Sequence, residues 1–530
     1  MEPSHRRPKS RVLCVLVVAR RLATPTRARG RGTADRTCAG APAGGRGVNI
    51  PFATDIFVRP LEPLFFGPPR TTRAGEDHGD ASAFPPTPKT FQGLIRTQLL
   101  YRVEPALDLD SHSRHARAQC ARLVGTGDRL PEGWQIKGPV AARIMRAEGT
   151  ERLQPWAPTP RFLSRVPCPK PSNDKHSSQA EPSCEPVQRA APPDEPFPSD
   201  PLFPEFVPSQ QPAMDDRHPQ PGTLRWLLGN PRVRDAVPLD GWLNAAGLYW
   251  ALSAGRQHRH DLYPTNNSGF AWHQHAPGLL PPFVRHQLQP GIKLERPGPR
   301  ASTRHNDERV GLAEDAMIYT NRAIRMDCAS GFWGALSIDA HSKTPQDPGR
   351  IPEDVLQNGL GHTGRKSRLV AFESCPPLDP GWRALLDGEH LQHCDYAPGQ
   401  CFWMYALTPV AMDEKHGLPL GGGVALRWPH DMPHAIAAAI KIKAIAAFNG
   451  APRTLGGWDM AAGGSQWRAN QSYAPAGSAW LIELAGGQPG QRRQALARLN
   501  NSHALGCPRD ATFGFGHLLV GIGPKHTPAV

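Results

Sequence analysis

No two of the ten cysteines in this 530-residue chain form a CxxC pair, and their spacing is irregular. That excludes the usual paired zinc knuckle, and it does not fit a disulfide framework, which belongs to small, cysteine-dense secreted domains. Reduced thiols in the cytoplasm fit better. Long apolar runs are also missing. The run Val12 to Ala19 is short for an export signal and far too short to span a bilayer, and Arg20 and Arg21 close it at once. The glycine triplet Gly421 to Gly423 lacks the Lys and Ser/Thr of a phosphate-binding P-loop. No short internal repeat is visible.

What the chain does carry is positive charge, with 61 Lys and Arg against 47 Asp and Glu, a net +14. Such an excess favours an anionic partner, because neutralising phosphates releases condensed counterions. Nucleic acid and an anionic membrane surface both answer to it. The apolar fraction is a modest 39%, with 59 Pro and 52 Gly, so part of the chain stands outside a folded core. The length exceeds what one hydrophobic core usually serves, which predicts two domains.

Residues 1–52 read as a disordered, basic, Gly/Ala/Arg-rich arm. The segment "TDIFVRPLEPLFFG" is rich in β-branched and aromatic residues and predicts a first strand, stopped by Gly67, Pro68 and Pro69. A polar loop follows, then a helix with Thr87 as N-cap, Pro88 at the first helical position, and Phe91, Leu94, Ile95 and Leu99 on one face. From about 167 to 221 the crowding of Pro, Ser, Asp and Glu predicts a disordered insertion. Asp240 is placed to cap a helix over "GWLNAAGLYWALSAG". Strand-like pieces follow at "AMIYTNRAIRM", "GFWGALSID", "CFWMYALTPV", "AIKIKAIAAF" and "SAWLIEL", then a helix at "GQRRQALARLN" and a glycine-rich close, "FGFGHLLVGIG". Strands outnumber helices and the helices are scattered, which predicts an α+β fold with antiparallel sheets.

Several residues suit RNA. Gly514 and Gly516 let backbone approach a phosphate, and Phe515 and His517 sit where a ring can meet an unpaired base. A β-turn with two core aromatics fits the same loop equally well. Arg70, Arg73 and Lys89 flank the first loop and helix start, and Arg365, Lys366 and Arg368 form a basic knot between glycines. Each set suits a phosphate clamp, and each is also what a solvated surface loop looks like. As a general acid or base for RNA cleavage, His78 or His517 stands without a visible partner. His390, His393, Cys394 and Cys401 lie close in sequence but not at the spacing of a paired knuckle, and read as incidental.

The stretch Leu61 to Leu100 carries Phe65 and Phe66, Arg70, Gly75 and Glu76, then Phe84 to Pro86, Pro88 and Gly93. In that order these elements closely resemble the opening of the family of third subunits of the type III-B CRISPR effector (Cmr) complex. "IKGPVAAR" with "PWAPTPRFL", the segment from "PGIKLERP" to "NRAIRM", "LGHTGRKSRLVAFE", "LGGWDMAAGG" to "AWLIEL", and "FGFGHLLVG" follow in the family's order. The resemblance spans roughly residues 53 to 523. One departure falls at Gly361, His362 and Thr363, where the family carries Gly-Gly-Glu.

The resemblance implies tandem ferredoxin-like (RRM-like) domains of the RAMP superfamily, over residues 53–235 and 236–523 with chain exchange at the junction, and a tail at 524–530. It implies a non-catalytic cytoplasmic subunit that grips the repeat-derived 5′ tag of the crRNA. The same resemblance places it beside the large polymerase/nuclease subunit and the backbone RAMP, touching target RNA only indirectly, with no membrane contact and no cofactor. The competing readings are a metal-independent endoribonuclease maturing guide RNA, the equivalent subunit of a type III-A complex, and a scaffold that touches protein only.

Overall fold

The computed structural model describes residues 52–67, 82–103, 114–126, 129–147, 149–165, 205–208, 226–229, 237–238, 241–253, 272–273, 280–294, 313–338, 355–364, 367–392, 394, 396–459 and 466–525. The expected arm up to residue 51, Arg70, Arg73, His78, Arg365, Lys366, His393 and most of the Pro-rich insertion lie outside the described residues.

From the N-terminal side the chain forms β1 (Phe52–Pro60), α1 (Pro88–Val103), α2 (Arg114–Val124) and the hairpin β2 (Trp134–Ala147) and β3 (Thr150–Pro158). Four short strands follow: β4 (Ser164–Arg165), β5 (Glu205–Pro208), β6 (Trp226–Gly229) and β7 (Val237–Pro238). Next come β8 (Trp242–Asn244), α3 (Ala245–Leu252), β9 (Trp272–His273), the ribbon β10 (Val284–Leu294) and β11 (Ala313–Met326), and β12 (Ser330–Ile338). The hairpin β13 (Gly359–Thr363) and β14 (Arg368–Glu373) leads to α4 (Pro380–Leu386). The remainder is β15 (Gln400–Ala406), β16 (Val410–Ala411), β17 (Leu418–Gly421), β18 (Val424–Leu426), α5 (His434–Ala439), β19 (Ile440–Phe448), β20 (Arg453–Asp459), β21 (Gln466–Ala474), β22 (Ala479–Gly486), α6 (Pro489–Leu499), α7 (Pro508–Ala511) and β23 (Leu518–Lys525).

The result is a mixed α/β fold dominated by antiparallel sheets. An eight-stranded sheet has the order β13-β14-β1-β12-β2-β3-β8-β9, and a four-stranded sheet the order β19-β22-β15-β23. The inner strands of both are apolar on both sides, so each sheet is covered on two faces. Ile56 and Val58 of β1 join one core with Phe91, Leu94 and Ile95 of α1, while Phe57 joins a second core with α3 and α4. That second core also takes Trp403, Tyr405, Leu481 and Leu519 from the four-stranded sheet. Its other side, Phe402, Met404, Trp480, Ile482 and Val520, packs on Ala495, Leu496 and Leu499 of α6. The layers therefore run helix, sheet, helices, sheet, helix. In β12, Gly334 makes room for α1: a Cβ there would lie 2.3 Å from the Phe91 ring.

The helix started by Pro88 and the later strands form where the sequence places them, while the first strand, Phe52–Pro60, ends well short of Gly67. Thr87 Oγ1 accepts from the backbone N of Thr90 at 3.3 Å, as an N-cap does. Two further local expectations differ. Trp242–Asn244 is strand, because Trp156–Pro158 of β3 pairs with it, and Asn244 caps the helix in place of Asp240, its Oδ1 accepting from Gly247 N at 2.9 Å. Glu205–Pro208, inside the expected disordered insertion, pairs with Trp226–Gly229. The eight-stranded sheet also takes β8, β9, β12, β13 and β14 from beyond residue 235, so that position does not divide the sheets.

Candidate RNA interface

The glycine-rich loop between α7 and β23 is wedged between the two large sheets. Ile136 N of β2 donates to Thr512 O at 3.1 Å, Gly516 N to Pro409 O at 2.9 Å, and Thr408 Oγ1 to Gly514 O at 2.7 Å. Gly514 has φ +101°, and a Cβ there would meet Gly138 O at 2.7 Å. The close backbone approach that glycine permits is thus made to the protein's own chain. Phe513 and Phe515 are each 1% exposed. The Phe515 ring lies 4.8 Å from that of Tyr473, and Lys89 Nζ stands 5.9 Å from its centroid. The expectation that Phe515 offers a face to an unpaired base is therefore corrected: both neighbours come from its own chain, and the core-turn reading of this loop is the one realised.

His517 is buried as well. Its Nε2 donates to Asn501 Oδ1 at 2.9 Å, and the same oxygen accepts from Lys137 Nζ of β2 at 2.9 Å. The His517 ring stacks on His503 at 4.9 Å, and His503 Nδ1 donates to Phe515 O at 2.9 Å. Burial, then the neighbouring His503 and Lys137, hold the His517 imidazole well below its usual range. Burial pushes His503 down to about 3 and Lys137 down to about 8. Asn501 adopts φ +59°, a left-handed conformation that Asn tolerates better than most residues. Lys137 and Asn501 hydrogen-bond one sheet to the segment that leads into the other. This cluster is a joint, and a proton donor sealed inside it has no route to an RNA 2′-hydroxyl.

A different surface gathers exposed charge. On the β10–β11 ribbon, Arg285 lies directly opposite Arg325, and both are exposed. Arg325 Nη1 donates to Gln287 Oε1 at 3.3 Å, and Gln289, two residues further along the same side, accepts from Arg368 Nη2 at 3.0 Å. Arg368 also faces Glu62 Oε2 at 3.8 Å and is the most covered of the three. It opens β14, directly after Ser367 (φ +47°), and Gly364 (φ +69°) follows the end of β13. The structure so joins one member of the predicted basic knot to two arginines that sequence reasoning missed. Alternation along each strand hinted at them, but only the pairing register sets them face to face.

Of the cysteines and histidines read as incidental, Cys401 and His390 are core residues. Cys401 is buried in β15, and His390 Nε2 donates to Val520 O at 2.6 Å with its ring against Tyr249. Burial pushes His390 down to about 4. Gly421 to Gly423 form the turn between β17 and β18, all at positive φ. Arg59, Arg383 and Arg498 are paired with Glu373, Asp55 and Asp431.

Comparison with protein families matches residues 56–523 to the family described as CRISPR-associated protein (Cas_Cmr3). The chain belongs to the Cmr3 family. No curated protein matches it. Among solved structures, a chain of the type III-B Cmr-beta complex bound to cognate target RNA and AMPPnP is similar, at 11% identity and TM-score 0.31, covering 81% of this chain and 86% of that one. A chain of the same complex bound to cognate target RNA alone gives 12% identity and TM-score 0.31, with the same coverage. For this Cmr3-family chain, no described helix is long and apolar enough to cross a membrane.

Proposed function

We propose that this chain is a non-catalytic RNA-binding subunit of a type III-B Cmr ribonucleoprotein, and that it holds the repeat-derived 5′ tag of the crRNA. In that reading it anchors the large polymerase/nuclease subunit and the backbone RAMP in the cytoplasm. Family membership supports the assembly. One observation carries the RNA reading: Arg285 opposite Arg325 on an exposed ribbon, continued by Arg368. Like charges directly opposite on a two-stranded ribbon destabilise it, and a phosphate backbone laid along them reverses the sign of that term. Guanidinium groups also suit phosphate by their bidentate geometry.

The tandem ferredoxin-like reading is supported by strand order. Taken in chain order, β1, β2, β12 and β14 lie fourth-first-third-second within the larger sheet, and β15, β19, β22 and β23 lie likewise in the smaller. The non-catalytic reading is supported by the complete burial of His517. Ultraviolet crosslinking of the assembled complex, mapped by mass spectrometry, tests the proposal. Tag nucleotides are expected on peptides of β10, β11 and the turn before β14. A tag that crosslinks only to neighbouring subunits would leave this chain a scaffold.

A further inference from the structure

We propose that Asp413, His416 and Cys507 form a metal site of the zinc class, which clamps the turn after β16 to the segment that leads into the glycine-rich loop. One potential ligand atom from each of the three side chains lies within 4.8 Å of the others. The proposal does not depend on the RNA reading.

Both halves of the site are held by their own backbone before any ion arrives. Asp413 caps a single helical turn, Glu414–His416: its Oδ1 accepts from Lys415 N at 3.0 Å and its Oδ2 from His416 Nδ1 at 2.8 Å. Glu414 Oε1 in turn accepts from Gly423 N at 3.0 Å, which fixes the turn against the β17–β18 hairpin. On the other side Cys507 follows Gly506, whose N donates to Ala425 O at 2.8 Å and whose φ is +75°. Arg427 Nε donates to Gly506 O at 2.9 Å and its Nη2 to His503 O at 3.0 Å. The Cys507 carbonyl accepts from Asp510 N and Ala511 N of α7, each at 3.2 Å.

The donor set selects the ion. Thiolate, imidazole and carboxylate together suit zinc, whereas magnesium and calcium prefer oxygen alone. Tetrahedral bonds of about 2.0–2.3 Å put ligand atoms roughly 3.3–3.8 Å apart. The sulfur therefore closes by up to about 1 Å, and the Asp413–His416 hydrogen bond opens by about half that, both within the reach of side-chain rotation. Asp413 and the Cys507 thiolate together neutralise a dication. Loss of the thiol proton to solvent accompanies binding. The His416 side chain is 52% exposed, which leaves a fourth position to water. The ligands come from two segments far apart in sequence, so the ion closes a long loop, the case in which a cross-link stabilises most.

The test is cobalt titration of the full-length chain after chelator treatment under reducing conditions. One equivalent is expected to give tetrahedral ligand-field bands and a sulfur-to-cobalt charge-transfer band. Cys507→Ser abolishes the charge-transfer band, His416→Ala and Asp413→Asn each weaken binding by tenfold or more, and Cys394→Ser changes nothing. Zinc should also raise the melting temperature of the wild type and not of His416→Ala, a surface change that leaves the fold intact. No saturable binding, or a charge-transfer band that survives Cys507→Ser, overturns the site and leaves an Asp–His hydrogen bond beside a bystander thiol.

Discussion

The glycine-rich loop suits RNA by its motif and the β10–β11 ribbon by its charge, and the fold treats them in opposite ways. In the loop, positive φ at Gly514 and Gly516 brings backbone against Gly138, Ile136 and Leu505, and the aromatics are 1% exposed. On the ribbon, Arg285 and Arg325 face each other in solvent. The difference teaches that a glycine's backbone freedom is spent wherever two chains approach closely, and here the second chain is the protein itself. Exposed like charges held in register, by contrast, repel one another across the strand pair, and in the proposed reading an anionic partner offsets that repulsion.

The contrast breaks most sharply at Phe515. Phe515→Ala is expected to cost about 3–5 kcal/mol through the cavity it leaves, read as a fall in apparent melting temperature, with RNA affinity per folded molecule unchanged. A variant that keeps its stability and loses RNA would return the ring to the interface. Acid attacks the same interior. His390, about 4 when folded against 6.5 ordinarily, takes a proton in the unfolded chain first. Stability is therefore full above pH 6.5 and falls as the pH drops toward 4, by about 3 kcal/mol for this group. His503, lower still, adds to the slope in the same direction. Urea midpoints between pH 7 and pH 4 measure it, and His390→Gln should flatten its share.

Gly514→Ala is expected to cost about 1–3 kcal/mol from its backbone conformation alone, since φ is +101° and Gly138 O stands where the methyl group would go. The ribbon answers to a different measurement. Arg285→Ala, Arg325→Ala and Arg368→Ala combined should weaken tag-RNA binding by tenfold or more. Together they should also reduce the slope of log affinity against log salt by about 0.7 for each phosphate that is no longer neutralised. An unchanged slope would remove the stripe from the interface. The smallest effect sharpens the contrast: Arg285→Ala alone should raise the stability of the RNA-free protein by a few tenths of a kcal/mol, roughly the like-charge term across a strand pair.

Much of the fold was legible in the sequence. Continuous apolar runs marked β12, β15 and β22, which are buried on both faces, and Pro88 with Phe91, Leu94 and Ile95 marked α1, whose burial on one face imposes a helical period. The helix expected from Asp240 lost its first turn to β8, since strand β3 offered a hydrogen-bonding edge that no local pattern reveals. The candidate site was less legible. Arg368 and Lys89 were visible as charges near glycine or proline, but Arg285, Arg325, Lys137 and Asn501 were not, because their meaning depends on cross-strand register and on contacts between distant segments.

By itself the sequence determined the class of fold, the basic character that calls for an anionic partner, and the ordered motifs that match the Cmr3 family. Those are properties of residue type and near-neighbour spacing. The tertiary structure decided which glycines serve the core, which histidines are sealed as neutral groups, and which arginines share one face of a ribbon. Burial and register are set by segments from a dozen to hundreds of residues apart, and no spacing along the chain encodes the distance between them.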